Sequence, residues 1–356
     1  MRKTIAALGT ALALVLTAGA ATAQEKLKVC FVYVGPHNDG GWSQGHDHAR
    51  ELLQEELGDK VETSFVENVA EGPDAERAIE RLARSGCGLV FTTSFGFMDP
   101  TIAVAEKYPD VKFEHATGFK TAANVTTYNA RFYEGRYISG IIAGRVSESG
   151  VAGYIASFPI PEVVMGINAF MLGAQTENPD FQVKVVWVNS WFDPAKEADA
   201  AKALFDQGAD IIVQHTDSPA PLQIAEERKL HGFGQARDMI EFAPTAQLTA
   251  VSDDWAPYYI ERTKAVLDGT WQSQSSWWGI KEGMVAMSDY TNMPDDLKAL
   301  AEQTEAKIKA GELHPFTGPI LKQDGSQLAA EGEIVPDSVL LTMDFYVKGL
   351  EGAPGN

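Results

Sequence analysis

Cysteine is scarce in this chain of 356 residues, which contains two, Cys30 and Cys87, and no CxxC pair. Two cysteines cannot form a disulfide framework, and a structural zinc site needs more ligands of this kind. Both lie in or beside predicted strands that could be neighbours, so an exported protein could bond them. Because buried parallel strands usually keep cysteine as a small apolar residue, we expect two free thiols.

Basic residues are also few. The chain has 29 Lys and Arg against 49 Asp and Glu, which gives a formal net charge of −20 at pH 7. Such a charge repels phosphate backbones and anionic membrane surfaces, so it argues against a nucleic-acid partner and against membrane docking. The remaining composition, 45% hydrophobic and 22% charged, is that of a globular protein. Its length suggests about two domains.

Long hydrophobic runs are missing after the first 23 residues. Within those residues, Arg2 and Lys3 precede an apolar run at 5–18, and the small residues 21–23 follow it. This order is typical of a secretory signal peptide cut before Gln24, whereas a membrane anchor needs about 20 apolar residues. No cysteine follows the run closely enough for lipid attachment. We therefore expect an exported protein with no lipid anchor and no membrane insertion.

Catalytic motifs are missing as well. The sequence has no GxSxG, and its glycine-rich segment GPHNDGG (35–41) has neither the Walker lysine nor the GxGxxG spacing. Histidines and aspartates also occur close together at 37–48, but His46 and His48 would point to different faces of a helix and cannot both bind one metal ion there. We predict no catalytic residues, no metal and no cofactor.

A regular alternation of strands and helices is the main pattern that is present. From residue 27, short apolar runs such as LKVCFVYVG and GLVFTTS are separated by helical stretches such as GHDHARELLQEELG. This alternation predicts βαβ units, and the pattern starts again at VAGYIAS. We therefore predict an α/β protein with two doubly wound parallel-sheet lobes. The expected division is 24–147 plus about 252–275 for lobe 1, 148–251 plus about 276–345 for lobe 2, and a tail at 346–356.

The cleft between two such lobes is the expected ligand site, because ligands of open α/β sheets bind beyond the carboxyl ends of the strands. Aromatic residues follow several of these strands, namely Trp42, Phe95, Trp191 and Trp255. Large aromatics beside polar turns suit the stacking of a planar ring whose edge needs hydrogen bonds. Each could instead fill the core, as aromatic residues often do.

These segments resemble the basic membrane protein family of periplasmic solute-binding proteins, which includes purine nucleoside receptors of ABC importers. The resemblance extends over about residues 27–313. It is carried by DGGWSQGHDHAR, VTTYNARFYEGRYISGIIAG, VVWVNSWFDPAKEADAAKALFDQGADIIVQH and GFGQARDM. It implies a type I periplasmic-binding-protein fold with a multi-strand hinge, a periplasmic location, a purine ligand and an ABC transporter permease as partner.

The resemblance also implies roles for individual residues. Trp42 stands where the family has an aromatic that stacks on the base, and Trp191 is the aromatic of the NSWFDP motif. Phe170, in GINAF, is a candidate for packing near the cleft. Asp238, in GQARD, matches an aspartate that contacts the ribose in nucleoside-binding members.

Two segments depart from the family pattern. The chain has FEHAT at 113–117 where the family has an aspartate, and SDDW at 252–255 where nucleoside binders have a lysine. Acids and a bulky tryptophan in place of a ribose-binding lysine would shrink the sugar pocket, so we expect an adenine-like free base. Asp or Glu could accept from its amine, and Thr93 or Ser94 could donate to its ring nitrogens. The candidate ligand-binding residues are Trp42, Asp39, Ser94, Phe95, Thr117, Phe170, Trp191, Asp238, Asp254 and Trp255.

Two alternatives remain at this point. The same fold could hold a purine nucleoside or another planar heterocycle. An exported nucleoside hydrolase would need a general base or a metal at the cleft, and the sequence offers only scattered carboxylates such as Asp39 and Asp238.

Overall fold

The computed structural model describes residues 26–355. The predicted signal peptide, residues 1–23, lies outside the described residues. The strands in chain order are β1 (Leu27–Val32), β2 (Val61–Val66), β3 (Leu89–Thr92), β4 (Lys112–Ala116), β5 (Val125–Ala130), β6 (Val151–Ala156), β7 (Gln182–Trp187), β8 (Ile211–His215), β9 (His231–Ala236), β10 (Gln247–Asp253), β11 (Ser275–Trp278), β12 (Val285–Met287), β13 (Ile320–Leu321) and β14 (Gln327–Ala329). The α-helices are α1 (Trp42–Leu57), α2 (Pro73–Arg84), α3 (Met98–Lys107), α4 (Phe132–Val146), α5 (Pro161–Glu177), α6 (Pro194–Asp206), α7 (Ala220–Arg228), α8 (Ala256–Leu267), α9 (Asp295–Ala310) and α10 (Asp337–Leu340).

Two six-stranded sheets organise these elements. The first has the order β11-β5-β4-β3-β1-β2 and is parallel throughout. The second has the order β12-β10-β9-β8-β6-β7 and is parallel except for β12, which pairs antiparallel with β10. The two parallel-sheet α/β lobes predicted from the sequence are confirmed. We call the first sheet with α1, α2, α3 and α8 the first lobe, and the second sheet with α4 to α7 and α9 the second lobe.

The sheets form because their central strands are apolar on both faces, as is typical of parallel strands covered by helices. In β1, Val29 and Phe31 pack in a core that includes α1 and α8. Cys30 and Val32 pack on the opposite face, in a core that includes α2 and α3. Alternate residues of one strand therefore serve two separate cores.

Helix α4 crosses from the first sheet to the second lobe. The expected division placed it with lobe 1, but it packs along α5. Glycines allow this contact, because a Cβ at Gly140 would meet the Phe170 carbonyl oxygen and a Cβ at Gly173 would meet the Tyr137 carbonyl oxygen. The chain crosses again after β10 and after β11. Three crossings thus connect the lobes.

None of the helices in the described part of the chain has the length and apolar composition needed to cross a bilayer.

Cys30 and Cys87 form a disulfide, so the expectation of free thiols was wrong. Cys30 lies in β1, and Cys87 lies in the turn that leads from α2 into β3, the neighbour of β1. Their Cα atoms are 6.0 Å apart, within the range that a disulfide spans. The sequence pattern identified the neighbouring strands but not that the turn brings Cys87 back over β1.

Replacing both cysteines should destabilise the protein. The bond joins residues 57 positions apart, and its loss frees the unfolded chain, so Cys30→Ala/Cys87→Ala should lower the free energy of unfolding by about 2–4 kcal/mol. Urea unfolding with and without reductant measures this. Reductant should weaken the wild-type protein and leave the double variant unchanged. Two titratable thiols in unreduced, denatured wild-type protein would contradict the bond.

Glu134, in the first turn of α4, lies at one of the lobe crossings. It is buried, and its carboxylate accepts a hydrogen bond from the Ile280 N–H at 2.7 Å. Gly279 makes room for it, because a Cβ at this position would meet the carboxylate. Burial raises the pKa of Glu134 to about 7. The folded state therefore binds this proton more tightly than the unfolded state does.

Glu134 should make stability depend on pH. The stabilisation that protonated Glu134 contributes to the folded state is fully present below about pH 4.5, the pKa of an exposed Glu. It is lost as pH rises through about 7. Glu134→Gln keeps an acceptor for the Ile280 N–H and has no charge to bury. Its free energy of unfolding at pH 8.5 should therefore exceed that of wild type by about 1–3 kcal/mol. Urea unfolding at pH 5 and pH 8.5 tests this, with exposed Glu148→Gln as the control. Parallel pH profiles for wild type and Glu134→Gln would refute the assignment.

Candidate functional site

A pocket lies between the two lobes at the carboxyl ends of their strands. The turns after β1, β3 and β4 form one wall, and the ends of β8 and β9, the loop after β7 and the start of α5 form the other. Space not filled by atoms amounts to about 320 Å³, part of it open to solvent. The first lobe contributes Val34, Trp42, Ser94, Phe95 and Thr117, and the second contributes Glu162, Trp191, His215, Asp217 and Gln235.

Trp42 forms an aromatic wall of the pocket on the first lobe. It is the first residue of α1, and its indole N–H donates to the Thr93 carbonyl oxygen at 2.6 Å. Trp255 packs edge-on against it with ring centroids 5.4 Å apart, and Phe132 lies 6.1 Å away. The hydrogen bond and these neighbours hold the indole in one orientation, as a stacking surface requires.

Asp39 fixes the start of α1 and therefore the position of Trp42. Its buried carboxylate accepts hydrogen bonds from the N–H groups of Gly41 at 2.9 Å, Ser43 at 2.8 Å and Gln44 at 3.0 Å. A helix start leaves such N–H groups without partners, and a carboxylate satisfies them. Asp39 does not line the pocket, so the structure gives it a supporting role in place of the predicted ligand contact.

Trp191 faces the pocket from the second lobe. Its ring packs on Phe158 with centroids 5.1 Å apart, and its carbonyl oxygen accepts from the Asp217 N–H at 2.9 Å. Its indole N–H donates across the cleft to Glu71 Oε1 at 3.3 Å. The same oxygen accepts from Ser94 Oγ at 2.6 Å. One carboxylate of the first lobe thus contacts the aromatic wall of the second.

Polar side chains of the second lobe form the rest of its wall. Glu162, His215, Asp217 and Gln235 are all buried, and His215 Nε2 lies 3.4 Å from Glu162 Oε1. Glu162 Oε2, His215 Nδ1 and Gln235 Oε1 have no hydrogen-bond partner in the described part of the chain. Buried polar atoms without a partner are costly. Because these line a pocket, they are the atoms that a bound ligand would satisfy.

Burial controls the charge of this wall. It raises the pKa of Asp217 well above its usual value, and the carboxylates of Asp39 and Glu197 raise it further. Burial lowers the pKa of His215, which is therefore neutral at pH 7. Among the residues that the structure describes, no Lys or Arg lines the pocket. The arrangement thus disfavours an anion and suits a neutral ligand that carries hydrogen-bond donors.

Two ionisable side chains near this wall, Arg136 and Asp253, have polar atoms that are shielded from solvent. Arg136 lies on α4 and Asp253 at the end of β10, and within residues 26–355 neither Arg136 Nε nor either Asp253 carboxylate oxygen has a hydrogen-bond partner. Burial raises the pKa of Asp253, and the positive charge of Arg136 opposes that rise. Arg136 thereby offsets part of the negative charge behind the pocket.

Half of the residues predicted from the sequence meet in this pocket. Each of them lies in the segment that follows a strand of one of the two sheets. They are Trp42, Ser94, Phe95, Thr117 and Trp191.

Two predicted aromatics are core residues instead. Phe170 is fully buried between Tyr154 and Phe233, with ring centroids 6.1 and 6.2 Å away. Trp255 is also buried, and its ring stacks on His46 at 4.6 Å behind Trp42. Both were assigned by resemblance or strand-end position, and neither signal tells which way the side chain points.

Two predicted aspartates lie outside the pocket as well. Asp238 accepts from the Ile240 N–H at 3.0 Å and Gln247 Nε2 at 2.7 Å, in a separate groove. Asp254 is exposed and accepts from the Ala256 N–H at 3.2 Å at the start of α8. Each carboxylate orders its own loop.

Five lining residues were not among the sequence candidates. His215, Asp217 and Gln235 lie at ends of predicted strands, so that rule could have found them. Glu162 follows a proline in the first turn of α5, where an acid is ordinary, and it carried no special signal. The set is Val34, Glu162, His215, Asp217 and Gln235.

The FEHAT segment has a structural role. Glu114 is fully buried and accepts from Arg262 Nε at 2.7 Å, Tyr258 Oη at 2.8 Å and Trp271 Nε1 at 2.6 Å. It does not line the pocket. Thr117 does line it, with a left-handed backbone at φ 62°.

The lobes are closed over the pocket. Arg237 Nη1 of the second lobe donates to Gln44 Oε1 of the first at 2.8 Å. Gly41 lies so close to the second lobe that a Cβ there would be 2.5 Å from the Asp217 carbonyl oxygen. With the Trp191 contact, these interactions surround the pocket on more than one side. No group of three His, Cys, Asp or Glu side chains within residues 26–355 is placed to hold a metal ion.

A family model described as ABC transporter substrate-binding protein PnrA-like matches residues 26–314. The chain belongs to this family. A purine-binding protein of Brucella abortus (strain 2308) is 68% identical to this substrate-binding protein over 333 residues, which cover 94% of this chain and 95% of the relative. A Haloferax volcanii protein, provisionally named an ABC transporter glucose-binding protein, is 38% identical over 329 residues, covering 92% of this chain and 81% of the relative.

The fold agrees with this membership. An ABC transporter solute-binding protein from Aeropyrum pernix K1 has a similar structure, with a TM-score of 0.71 at 19% identity, covering 81% of this chain and 92% of that one. The predicted type I periplasmic-binding-protein fold and the family resemblance are confirmed. Because members of the family bind solutes, the substrate-binding protein is not an enzyme, and the hydrolase alternative is set aside.

Removing the Asp39 carboxylate should destabilise α1. Asp39→Ala leaves three N–H groups without their acceptor, so we expect the free energy of unfolding to fall by about 1–2 kcal/mol. Urea unfolding measures this, with exposed Glu55→Ala on the same helix as the control. If Asp39→Ala is as stable as the control, the supporting role is wrong.

Proposed function

We propose that this substrate-binding protein is a periplasmic receptor that binds an adenine-like purine base between its lobes and delivers it to an ABC transporter permease. The observation that carries the proposal is the pairing of tryptophan walls from opposite lobes with buried polar atoms that lack partners. A planar heterocycle with polar edges matches both features.

Aromatic surfaces support a planar ring. Trp42 and Trp191 line the pocket from the two lobes, and Phe95 adds a third aromatic. Stacking of a base on an aromatic side chain is worth about 1–3 kcal/mol. Because the tryptophans belong to different lobes, a ring that contacts both favours closure, and ligand binding then shifts the open and closed populations.

Polar atoms support an amino-substituted ring. Glu162 Oε2 and Gln235 Oε1 are acceptors without partners, suited to the exocyclic amine and ring N–H of adenine. Neutral His215 has a free Nδ1 that could face a ring nitrogen or a ring N–H, depending on its tautomer. The absence of Lys and Arg from the lining disfavours nucleotides, whose phosphates would need such partners.

The relatives support a purine over a sugar. The Brucella abortus relative, at 68% identity, is named a purine-binding protein. The Haloferax volcanii relative, provisionally named for glucose, is far less similar at 38%. A purine is therefore the first ligand to test, with glucose as the competing one.

A purine nucleoside is the second candidate. A larger groove adjoins the pocket and shares Phe95, Thr117 and Glu162 with it, so a ribose attached to a bound base would have room there. Asp254 and Trp255, expected to fill the sugar pocket, do not line either space. The preference for a free base therefore rests on the loss of the lysine and not on steric exclusion.

Titration calorimetry should separate these ligands. The refolded, ligand-free protein is titrated with adenine, guanine, hypoxanthine, adenosine and glucose. We expect adenine to bind at one site per chain and glucose not to bind. Strong adenosine binding without adenine binding would replace the base by the nucleoside. Binding of glucose alone would overturn the purine proposal.

Truncating an aromatic wall should weaken binding. Trp191→Ala should raise the Kd for adenine about tenfold or more, because it removes one stacking face. Tyr108→Ala, on the far side of the first lobe, is the control and should leave the Kd unchanged. Equal affinities for the two variants would exclude Trp191 from the site.

A further inference from the structure

Glu197 is a fully buried carboxylate of the second lobe that does not line the pocket. It lies in the first turn of α6. Its Oε1 accepts from the Asp193 N–H at 2.8 Å. Its Oε2 accepts from the Ser218 N–H at 3.1 Å and from Ser218 Oγ at 2.6 Å. One side chain therefore receives three hydrogen bonds from two separate loops.

Those two loops carry pocket residues. Asp193 ends the loop that follows β7 and contains Trp191, and Ser218 adjoins Asp217 after β8. The loops also contact each other, because the Asp217 N–H donates to the Trp191 carbonyl oxygen at 2.9 Å. Glu197 thus binds both loops, at Asp193 and at Ser218, and the neighbouring residues Trp191 and Asp217 face the pocket.

The second loop is fixed from its other side by Gln214, a buried residue of β8. Its Nε2 donates to the carbonyl oxygens of Thr216 at 2.8 Å and Ser218 at 2.7 Å. The loop therefore has its carbonyl groups bound to the strand and the Ser218 N–H bound to α6. Asp217 lies between these anchor points with little freedom to move.

Helix capping alone does not explain a buried charge at this position. Asp193 already accepts from the Lys196 N–H at 3.1 Å as the N-cap of α6. The contact between Glu197 and the Asp193 N–H resembles a capping interaction. Oε2, however, accepts its hydrogen bonds from Ser218 in the loop after β8, and this contact plays no part in capping α6. Burial raises the pKa of Glu197 and its charge disfavours ionisation of nearby Asp217, so the carboxylate has an energetic cost.

We propose that Glu197 is a positioning residue that sets the distance between Trp191 and Asp217 before any ligand arrives. The ligand part of this inference rests on the proposed function, whereas the loop geometry does not. All of these contacts lie within the second lobe, so they do not depend on lobe closure. A wall built in advance lowers the ordering cost of binding and so raises affinity.

The test compares Glu197→Gln with Asp193→Ala, a matched change at the same helix start. Gln keeps the size of Glu but presents an amide N–H₂ to N–H and O–H donors, so it loses at least one of the three hydrogen bonds. Asp193→Ala removes the N-cap and leaves its main-chain bond to Glu197. Thermal unfolding shows that both fold and how far each is destabilised.

Hydrogen exchange of the ligand-free protein gives the first readout. We expect the Asp217 and Ser218 amides to exchange faster in Glu197→Gln than in wild type or Asp193→Ala. Unchanged exchange at these two amides would overturn the inference, whatever the protein binds.

Adenine affinity gives the second readout. Glu197→Gln should raise the Kd about tenfold, while Asp193→Ala should stay within about twofold of wild type. Ser218→Ala, which removes the hydroxyl bond alone, should give a smaller loss than Glu197→Gln. Equal Kd values for Glu197→Gln and Asp193→Ala would overturn the positioning role. If wild type does not bind adenine, the proposed ligand fails, and the exchange result still decides the loop geometry.

Discussion

The close contact between α4 and α5 is the constraint on which the second lobe, and the chain crossing that leads into it, depend. Gly140 and Gly173 bring the backbones together where any larger residue would meet a carbonyl oxygen. Helix α4 begins at the first lobe crossing, while the first turn of α5 places Glu162 in the pocket wall. One helix pair thus connects the first lobe crossing with the polar wall of the site.

The sequence predicted the fold well because the fold depends on patterns that are local. Apolar strands, helical spacing and the second start of the alternation are all visible along the chain, and so are the strand ends where the pocket lies. Side-chain direction is not. Trp42 and Trp255 both follow glycine or acidic turns, yet one faces the pocket and the other the core. The difference comes from packing between distant segments, as with the turn that carries Cys87 to Cys30.

Several carboxylates around the pocket order the loops and helix starts that carry its lining residues. Because the chain is rich in acidic residues, their number alone does not indicate this role. Asp39, Glu71 and Glu197 each accept hydrogen bonds from several donors in a loop or helix start beside a lining residue. A carboxylate has two oxygens and about four acceptor positions, so one side chain can order several main-chain groups. The excess of acids thus contributes to the shape of the site as well as to surface charge.

The hydrogen bond between Trp191 and Glu71 gives the closing motion an optical consequence. The indole N–H donates to the Glu71 side chain of the opposite lobe, so separating the lobes would break this hydrogen bond. Indole emission responds to such a change in surroundings, and the chain contains seven tryptophans, of which this one bonds across the cleft. Trp191 is therefore an intrinsic fluorophore whose indole N–H contacts the opposite lobe directly.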